Sequence, residues 1–331
     1  VTMPSKRISK INSRMNYELT CHLLGYCPTL REIENTEIKK MANSLKAESY
    51  KETLTNVLEW QDRNIVFWSE RWVLPYPLYV LSALALCFFY LLLYFNSQVL
   101  GYIAGAFAGS AITAFSVIVS LLKVRKIPIW SGLWNTFVLN ISMNFFLKNK
   151  LGCCRDYAKL TACLLFKIYP DEEIYFVRAP QHVATGIVIK NELYMLDKQL
   201  PIVTISKWHE RWNSERKIEK FKRDHLESVP NPYLHETKPT KPNTENLATE
   251  MMTLLGIKEQ TSETDLSSLE ILRWKKGAIL YEENEIVNYS LAQLLKAKIS
   301  DEMLELSQIA KLEITRDKKD LTFRISFKSN K

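Results

Sequence analysis

Residues 152–158 read Gly-Cys-Cys-Arg-Asp-Tyr-Ala, and this stretch decides how the rest of the chain is interpreted. After it, apolar side chains recur at helical spacing, at Tyr157, Leu160, Leu164 and Ile168. The spacing predicts a tight turn at the glycine that runs directly into a helix. Cys154 then lies in the first helical turn, where unpaired backbone N–H groups and the helix dipole stabilise an anion. Such a position lowers the pKa of a thiol and predicts a nucleophile that is available near neutral pH.

Two further residues with catalytic chemistry follow on predicted strands. His182 begins the apolar segment 182–189, and Asp197 ends the segment 193–197. The segments are joined around residues 190–192, so an antiparallel hairpin would place His182 and Asp197 nearly opposite each other. A thiol, a base and a carboxylate that orients the base are the three parts of a nucleophilic triad. The sequence therefore predicts Cys154, His182 and Asp197 as catalytic residues; a packed cysteine, a core histidine and a turn aspartate are the alternatives.

The Gly-x-Cys-Arg-Asp-Tyr-Ala box, the strand-initial histidine and the aspartate one hairpin later resemble the transglutaminase-like superfamily, in particular membrane-anchored prokaryotic or archaeal members. Its members share a papain-type Cys-His-Asp core and include transglutaminases, peptide amidases and proteases. The chain departs from the family pattern after two of the three residues. It has His182-Val183-Ala184 where His-Ala-Trp is usual, and Lys198 follows Asp197 where proline is usual. The resemblance implies an α+β fold with a transglutaminase-like (papain-type) cysteine core and no cofactor.

Composition restricts the class of protein further. A chain of 331 residues has room for one to three domains, and its 47% hydrophobic content excludes a wholly disordered chain. The net charge is +8, but the basic residues are interleaved with acidic ones, so we expect no nucleic-acid partner. Six cysteines without a secreted-type framework predict reduced thiols in the cytosol. Cys21, His22 and Cys27 lack the spacing of a zinc site, so no metal is expected.

The segment before the cysteine box has the composition of a membrane anchor. Residues 72–122 include no charged side chain, and Asn96-Ser97-Gln98 divides them into two apolar stretches, 73–95 and 99–122. Each stretch is long enough, at about 20 residues, to cross a bilayer. We therefore expect a two-helix transmembrane hairpin inserted before the nucleophile helix.

Two features of this region bear on packing and on topology. Gly101, Gly105 and Gly109 recur every four residues, a small-residue stripe that predicts close packing of the second helix on the first. Basic residues flank the hairpin at both ends, at Arg63, Arg71, Lys123, Arg125 and Lys126. Positive residues near spans stay cytoplasmic, which predicts a multi-pass protein of the cell membrane with its catalytic domain in the cytoplasm.

Residues 127–147 also lack charge, and they show an apolar stripe opposite a face that carries three asparagines. Because asparagine is costly in lipid, we expect one amphipathic helix here. It would pack on the catalytic core or lie at the membrane interface, which suits Trp130 and Trp134. A third transmembrane span is the alternative, and it would move the active site outside the cell.

The sequence suggests the following organisation. We expect N-terminal helices of the catalytic core at 1–72, the hairpin at 73–122, the catalytic core at 123–229, a Pro-rich linker at 230–247 and a C-terminal α+β segment at 248–331. Within the core, 207–228 mixes both charges and is expected to form a solvated helix. The C-terminal segment is expected to contain a strand at 269–281, a helix at 291–304 and a hairpin at 312–327. It would either complete the catalytic sheet or form a small appended domain.

Together these features predict a membrane-anchored thiol enzyme that acts on protein or peptide amides through a cysteine thioester, by acyl transfer or by hydrolysis. A cysteine protease or amidase of the same fold is one alternative. A membrane scaffold whose site has degenerated is another, and the altered residues after His182 and Asp197 are its support. A channel is disfavoured because two helices without internal charge offer no polar path.

Overall fold

The fold is described from a computed structural model, in which residues 15–21, 23–68, 75–95, 98–137, 141–212, 217–223, 225–229, 242–258 and 266–328 are placed. The chain divides into two compact units. The inserted unit is Ile65–Asp156, and the core unit combines the residues up to Asn64 with those from Tyr157 onward. The apolar region is thus an insertion between two parts of the chain that fold together.

The α-helices whose full extent is described are, in chain order, α1 (Leu30–Ile33), α2 (Thr36–Leu45), α3 (Tyr50–Asn64), α4 (Pro75–Phe95), α5 (Gln98–Val124), α6 (Ile129–Phe137), α7 (Met143–Asn149), α8 (Cys154–Ile168), α9 (Ile205–Trp212), α10 (Thr244–Leu255), α11 (Gly277–Leu280) and α12 (Glu285–Asp301). The strands are β1 (Val66–Phe67), β2 (Leu151–Gly152), β3 (Ile174–Ala179), β4 (His182–Ile189), β5 (Glu192–Leu196), β6 (Val203–Thr204), β7 (Lys217–Lys222), β8 (His225–Val229), β9 (Leu266–Trp274), β10 (Ile309–Asp317) and β11 (Asp320–Lys328). The α+β class predicted from the sequence is confirmed.

A six-stranded antiparallel sheet forms the centre of the core unit, in the order β6-β5-β4-β3-β7-β8. The hairpin β4–β5 turns at Lys190 and Asn191, whose φ angles of 51° and 64° suit a tight two-residue turn. Its register pairs Thr185 with Leu196. The predicted hairpin is therefore present, with Asp197 directly after the end of β5.

Helix α8 lies on one face of this sheet. The Thr185 hydroxyl donates to the Ala158 carbonyl at 2.7 Å, and the Phe166 ring meets the Phe221 ring at a centroid distance of 5.8 Å. On the opposite face, Val177, Ala184 and Met195 share a hydrophobic cluster with Trp208 of α9 and Leu280 of α11. Both faces of the sheet are covered, as its nearly continuous apolar strands require.

The N-terminal helices pack on α8 within the same unit. The Gln61 side chain of α3 donates to Thr161 at 2.8 Å, and both side chains are buried. Lys159 of α8, which is almost fully buried, pairs with Glu32 of α1 at 3.2 Å. Residues far apart in sequence therefore support the helix that begins at Cys154.

The solvated helix expected at 207–228 is wrong. Helix α9 ends at Trp212, and the antiparallel strands β7 and β8 follow. In β7, Ile218 contributes to the cluster with Trp208, whereas Phe221 packs against Phe176. Ion pairs across strands, such as Lys222 with Glu227 at 2.8 Å, account for the mixed charges that suggested a helix.

The C-terminal segment forms its own three-stranded antiparallel sheet, in the order β10-β11-β9, and does not extend the central one. The strand predicted at 269–281 is too long, because β9 ends at Trp274 and α11 follows. Polar bonds join this segment to the central sheet: Ile202 N–H donates to Ser290 at 3.0 Å, and Thr204 donates to Glu282 at 2.5 Å. Most of the predicted linker, 230–241, lies outside the described residues, and α10 begins within its end, capped by Asn243.

In the inserted unit, α4 and α5 are both long and apolar enough to cross a membrane, with spans at Leu78–Phe95 and Gln98–Val124. None of the first apolar window and only 11% of the second is buried, whereas the core helix of a soluble domain is mostly buried. Stacked rings of Phe88 and Phe107, 5.5 Å apart, join the two helices. Asn96 and Ser97 of the predicted turn lie outside the described residues.

The glycine stripe of α5 does not pack on α4 as predicted. A Cβ at Gly101 would contact Leu92 at 3.6 Å, but one at Gly105 or Gly109 would meet nothing within 4 Å among the described residues. The contact between the two helices instead includes the stacked rings of Phe88 and Phe107, two positions along α5 from Gly105.

A single helix over 127–147 is also wrong. Helices α6 and α7 have 9 and 7 residues, and Ser142 caps the second in an extended backbone conformation. Neither helix is long enough to span a bilayer, which needs about 20 residues. Residues 138–140 between them lie outside the described part of the chain.

Candidate active site

The start of α8 is built around Gly152 and Asp156. The Asp156 carboxylate is buried and accepts the Cys153 N–H at 2.9 Å, so it caps the helix that begins at Cys154. A Cβ at position 152 would lie 2.5 Å from Phe146 Cε2 and 2.9 Å from Asp156 Cβ. Only glycine allows this close approach, which explains in physical terms why glycine precedes the two cysteines.

The two adjacent cysteines have different surroundings. The Cys153 thiol is 2% exposed and donates to Asp156 Oδ2 at 3.4 Å. Cys154 is half-buried, and it is the first residue of the helix, where the helix dipole favours an anion. Neither forms a disulfide. Exposure and position therefore both favour Cys154 as the thiol that a substrate could reach.

His182 and Asp197 are in direct contact. Nε2 of His182 lies 2.9 Å from Oδ1 of Asp197, and about a tenth of each side chain is exposed. The predicted hydrogen-bonding distance between them is thus confirmed. Cys154 belongs to the inserted unit, and its partnership with His182 stays a prediction from the sequence.

Two residues that the sequence analysis missed complete the surroundings of Asp197. The Trp208 indole N–H donates to Asp197 Oδ2 at 3.1 Å, and its ring stacks beside His182 with centroids 6.1 Å apart. Arg211, one turn further along α9, has its guanidinium 3.7 Å from the same oxygen. Both residues lie on α9, at the start of the stretch 207–228 that was interpreted as one long solvated helix. The signal that could have identified them is a tryptophan and an arginine at helical spacing after a short strand.

Comparison with known proteins identifies the family. A family model described as a transglutaminase-like domain matches residues 36–222, more than half of the chain. This chain belongs to the transglutaminase-like family. It is also similar to the UPF0252 protein MJECL39 of Methanocaldococcus jannaschii, at 24% identity, with 87% of this chain and 92% of that protein covered. No solved structure matches the chain.

The match to the transglutaminase-like family locates the insertion. The matched region includes α2 and α3, the whole inserted unit, α8 and the hairpin with His182 and Asp197. The two apolar helices therefore lie inside the family domain rather than before it. The family match supports a thiol enzyme and leaves its reaction open.

Electrostatics in the transglutaminase-like site favour an ionised Asp197. Burial raises the pKa of this carboxyl group, but the hydrogen bonds from His182 and Trp208 and the charge of Arg211 outweigh it and hold the pKa below its ordinary value. The carboxylate can then accept hydrogen bonds from both rings. The described residues contain no group of three or more His, Cys, Asp or Glu side chains that could hold a metal ion, and His22 lies outside them.

Proposed function

We propose that this chain is a membrane-anchored transglutaminase-like enzyme that acts on protein or peptide amides through a thioester on Cys154. The observation that carries the proposal is the partly buried hydrogen bond between His182 Nε2 and Asp197 Oδ1, at 2.9 Å, on the hairpin where the family pattern has its base and its carboxylate. The indole of Trp208 and the guanidinium of Arg211 add support, because they keep Asp197 ionised.

The hydrogen bond defines the role of each imidazole nitrogen. An ionised carboxylate is only an acceptor, so Nε2 of His182 must carry the proton that it donates to Asp197. The lone pair of the neutral ring then lies on Nδ1, the nitrogen that would take the proton of the Cys154 thiol. Asp197 thereby fixes the tautomer and stabilises the imidazolium that forms.

The reaction follows from these roles. The Cys154 thiolate attacks the amide carbonyl carbon, a C–S bond forms, and the oxyanion is held by backbone donors that include the Cys154 N–H at the start of α8. As the C–N bond breaks, His182 returns its proton to the leaving ammonia or amine, and a thioester remains. Attack by an amine then gives transamidation, and attack by water gives hydrolysis.

Two rival functions share much of this structure. A cysteine protease or amidase would use the same residues and differ only in releasing its acyl group to water. A scaffold with a degenerate site would keep the fold without the chemistry, and the unusual residues Val183 and Lys198 favour it. The bonds from His182 and Trp208 to the Asp197 carboxylate favour an enzyme, because they orient the imidazole and would stabilise the imidazolium that the reaction forms.

Membrane anchoring is part of the proposal. Helices α4 and α5 would form the anchor, and the exposed basic residues that follow them, Lys123, Arg125 and Lys126, would keep both ends of the hairpin in the cytoplasm. Since α6 and α7 are too short to span, the chain on either side of the hairpin would remain in that compartment.

The experiment that tests the proposal measures alkylation of the full chain by iodoacetamide at neutral pH, with peptide mapping to locate the label. We expect Cys154 to react fastest, Cys154→Ser to abolish the fast labelling, and the matched variant Cys153→Ser to leave it unchanged. Equal behaviour of the two variants, or reactivity at Cys153, would contradict the nucleophile assignment. On intact cells, labelling of Cys154 by a membrane-impermeant thiol reagent would overturn the cytoplasmic placement.

A further inference from the structure

Helix α6 has its polar side chains inside and its tryptophans outside. Asn135 and Thr136 are buried, whereas Trp130 and Trp134, one turn apart, are 87% and 59% exposed. The Thr136 hydroxyl accepts the indole N–H of Trp68 at 2.9 Å and donates to the Gly132 carbonyl at 2.7 Å. This is the reverse of an ordinary surface helix, which turns its apolar face to the protein and its polar face to water.

The position of α6 relates this aromatic face to the candidate spans. Gly132 lies so close to Leu122, near the end of α5, that a Cβ would come within 2.3 Å of its side chain. At the other end of α6, the Phe137 carbonyl accepts the Tyr79 hydroxyl of α4 at 3.1 Å. Tyr79 lies in the first turns of α4 and Leu122 in the last turn of α5. Helix α6 therefore lies beside the end of the hairpin where one span begins and the other ends.

The charge around α6 suits a lipid headgroup layer. Lys123 and Lys126, at the end of α5 and directly before α6, are exposed, and Arg125 lies over the Trp68 ring at 5.2 Å. No acidic side chain occurs from 72 to 155. Tryptophan is enriched where a bilayer meets water, and lysine side chains near helix ends extend into the same layer. Clustered basic residues also attract anionic lipids.

We propose that α6 lies in the plane of the membrane interface, with Trp130 and Trp134 inserted at the headgroup level of a leaflet that contains anionic lipid. The proposal rests on the membrane anchoring proposed above and goes beyond it, because it adds a third helix that contacts the bilayer without crossing it. The buried Asn135 and Thr136 then face protein, and the exposed indoles face lipid.

The test uses the full chain reconstituted into vesicles of phosphatidylcholine and phosphatidylglycerol, with bromine-labelled acyl chains that quench nearby tryptophans. No tryptophan occurs between 73 and 129, so the spans themselves give no signal. We expect quenching of the wild-type chain, and loss of most of it in Trp130→Phe/Trp134→Phe. We also expect the quenching to increase with the phosphatidylglycerol fraction and to decrease with salt.

Trp274→Phe, in β9, is the matched control and should leave the quenching unchanged. Flotation of the vesicles distinguishes a failure of membrane anchoring from a failure of the interfacial placement of α6. If the chain fails to float with lipid, membrane anchoring itself is wrong. If it floats but Trp130→Phe/Trp134→Phe quenches like the wild type, the chain is anchored and the interfacial placement of α6 is overturned; the two tryptophans would then be covered by protein.

Discussion

At the scale of single residues, Asp197 is the carboxylate on which the proposed site depends. It accepts hydrogen bonds from His182 and Trp208 and lies beside the Arg211 guanidinium. Burial raises its pKa, yet these partners together hold the pKa below the ordinary value. A buried carboxylate that stays ionised has more stabilising interactions in the folded chain than in the unfolded chain, and stability then depends on pH.

The pKa shift gives a prediction with a definite sign. Because the folded pKa is depressed, Asp197 should stabilise the fold fully above its unfolded pKa of about 3.9, and this contribution should be lost as the pH falls through the folded value. We expect the difference in Tm between the wild type and Asp197→Asn to be largest near neutral pH and to shrink below about pH 4. Thermal unfolding from pH 7 to pH 3 measures it; a constant difference would contradict the shift.

Asp62 provides a control, because its replacement by asparagine should change Tm in the opposite direction. Although the Asp62 side chain is exposed, partial desolvation by its surroundings raises its pKa and outweighs the nearby charges of Lys298, Arg63 and Lys198. An acid with a raised folded pKa destabilises the fold above its unfolded pKa, so Asp62→Asn should raise Tm near neutral pH rather than lower it. Both effects should disappear under acidic conditions.

At the scale of elements, the start of α8 depends on close contacts that only Gly152 permits. Gly152→Ala would place a methyl group against Phe146 and Asp156, displacing the carboxylate that caps the helix. We expect a loss of stability of about 1–3 kcal/mol and slower alkylation of Cys154. Gly105→Ala is the matched control, since its methyl group would meet nothing within 4 Å among the described residues. Equal Tm values for both variants would show that the contacts at Gly152 are not as close as described.

Elements with a single dominant period were predictable from the sequence. Helix α8, the hairpin β4–β5 and the two apolar helices follow from local patterns, and their positions are close to those expected. The β7–β8 region was misassigned because its alternation is short and its charges pair across strands, which a linear pattern does not reveal. Trp208 was missed as a partner of Asp197 because the two residues meet only once α9 packs on the sheet, and a local sequence pattern does not show such packing.

The orientation of α6 was not predictable either. Its apolar stripe was evident, but Nδ2 of Asn135 donates to the Ser131 carbonyl, and the Thr136 hydroxyl bonds to Gly132 and Trp68 inside the unit. Whether polar side chains face inward depends on partners distant in sequence. The same limit applies to Gly105 and Gly109, whose spacing suggests packing that α4 does not provide.

At the scale of the whole molecule, the core unit is assembled from both sides of the insertion. Helix α3 reaches α8 through Gln61 and Thr161, and α1 supplies Glu32 to the buried Lys159. A chain that lacked α1–α3 would lose both bonds and expose the face of α8 that carries Thr161 and Lys159. Removing only the Glu32 carboxylate breaks a buried ion pair, which costs about 3–5 kcal/mol.

We therefore predict that a fragment of residues 123–331 does not fold cooperatively, whereas the full chain does in the same detergent. In the full chain, Glu32→Gln should lower Tm by the same mechanism, and Glu37→Gln, whose pair with Lys40 is exposed, should leave it nearly unchanged. A cooperative melting transition in the 123–331 fragment, or fast alkylation of its Cys154 well below pH 8.5, would contradict this account of the core unit.

We propose that Cys154 and His182 act as a pair, a claim that the pH dependence of Cys154 alkylation can check. If His182 takes the thiol proton, the wild-type chain should be alkylated rapidly well below pH 8.5, the ordinary pKa of a thiol. In His182→Ala, the midpoint of the profile should move up towards that value, and Asp197→Asn should move it part of the way. The matched variant His225→Ala, at the sheet edge, should leave the profile unchanged. A wild-type profile with its midpoint near pH 8.5 that does not change in His182→Ala would contradict the claim.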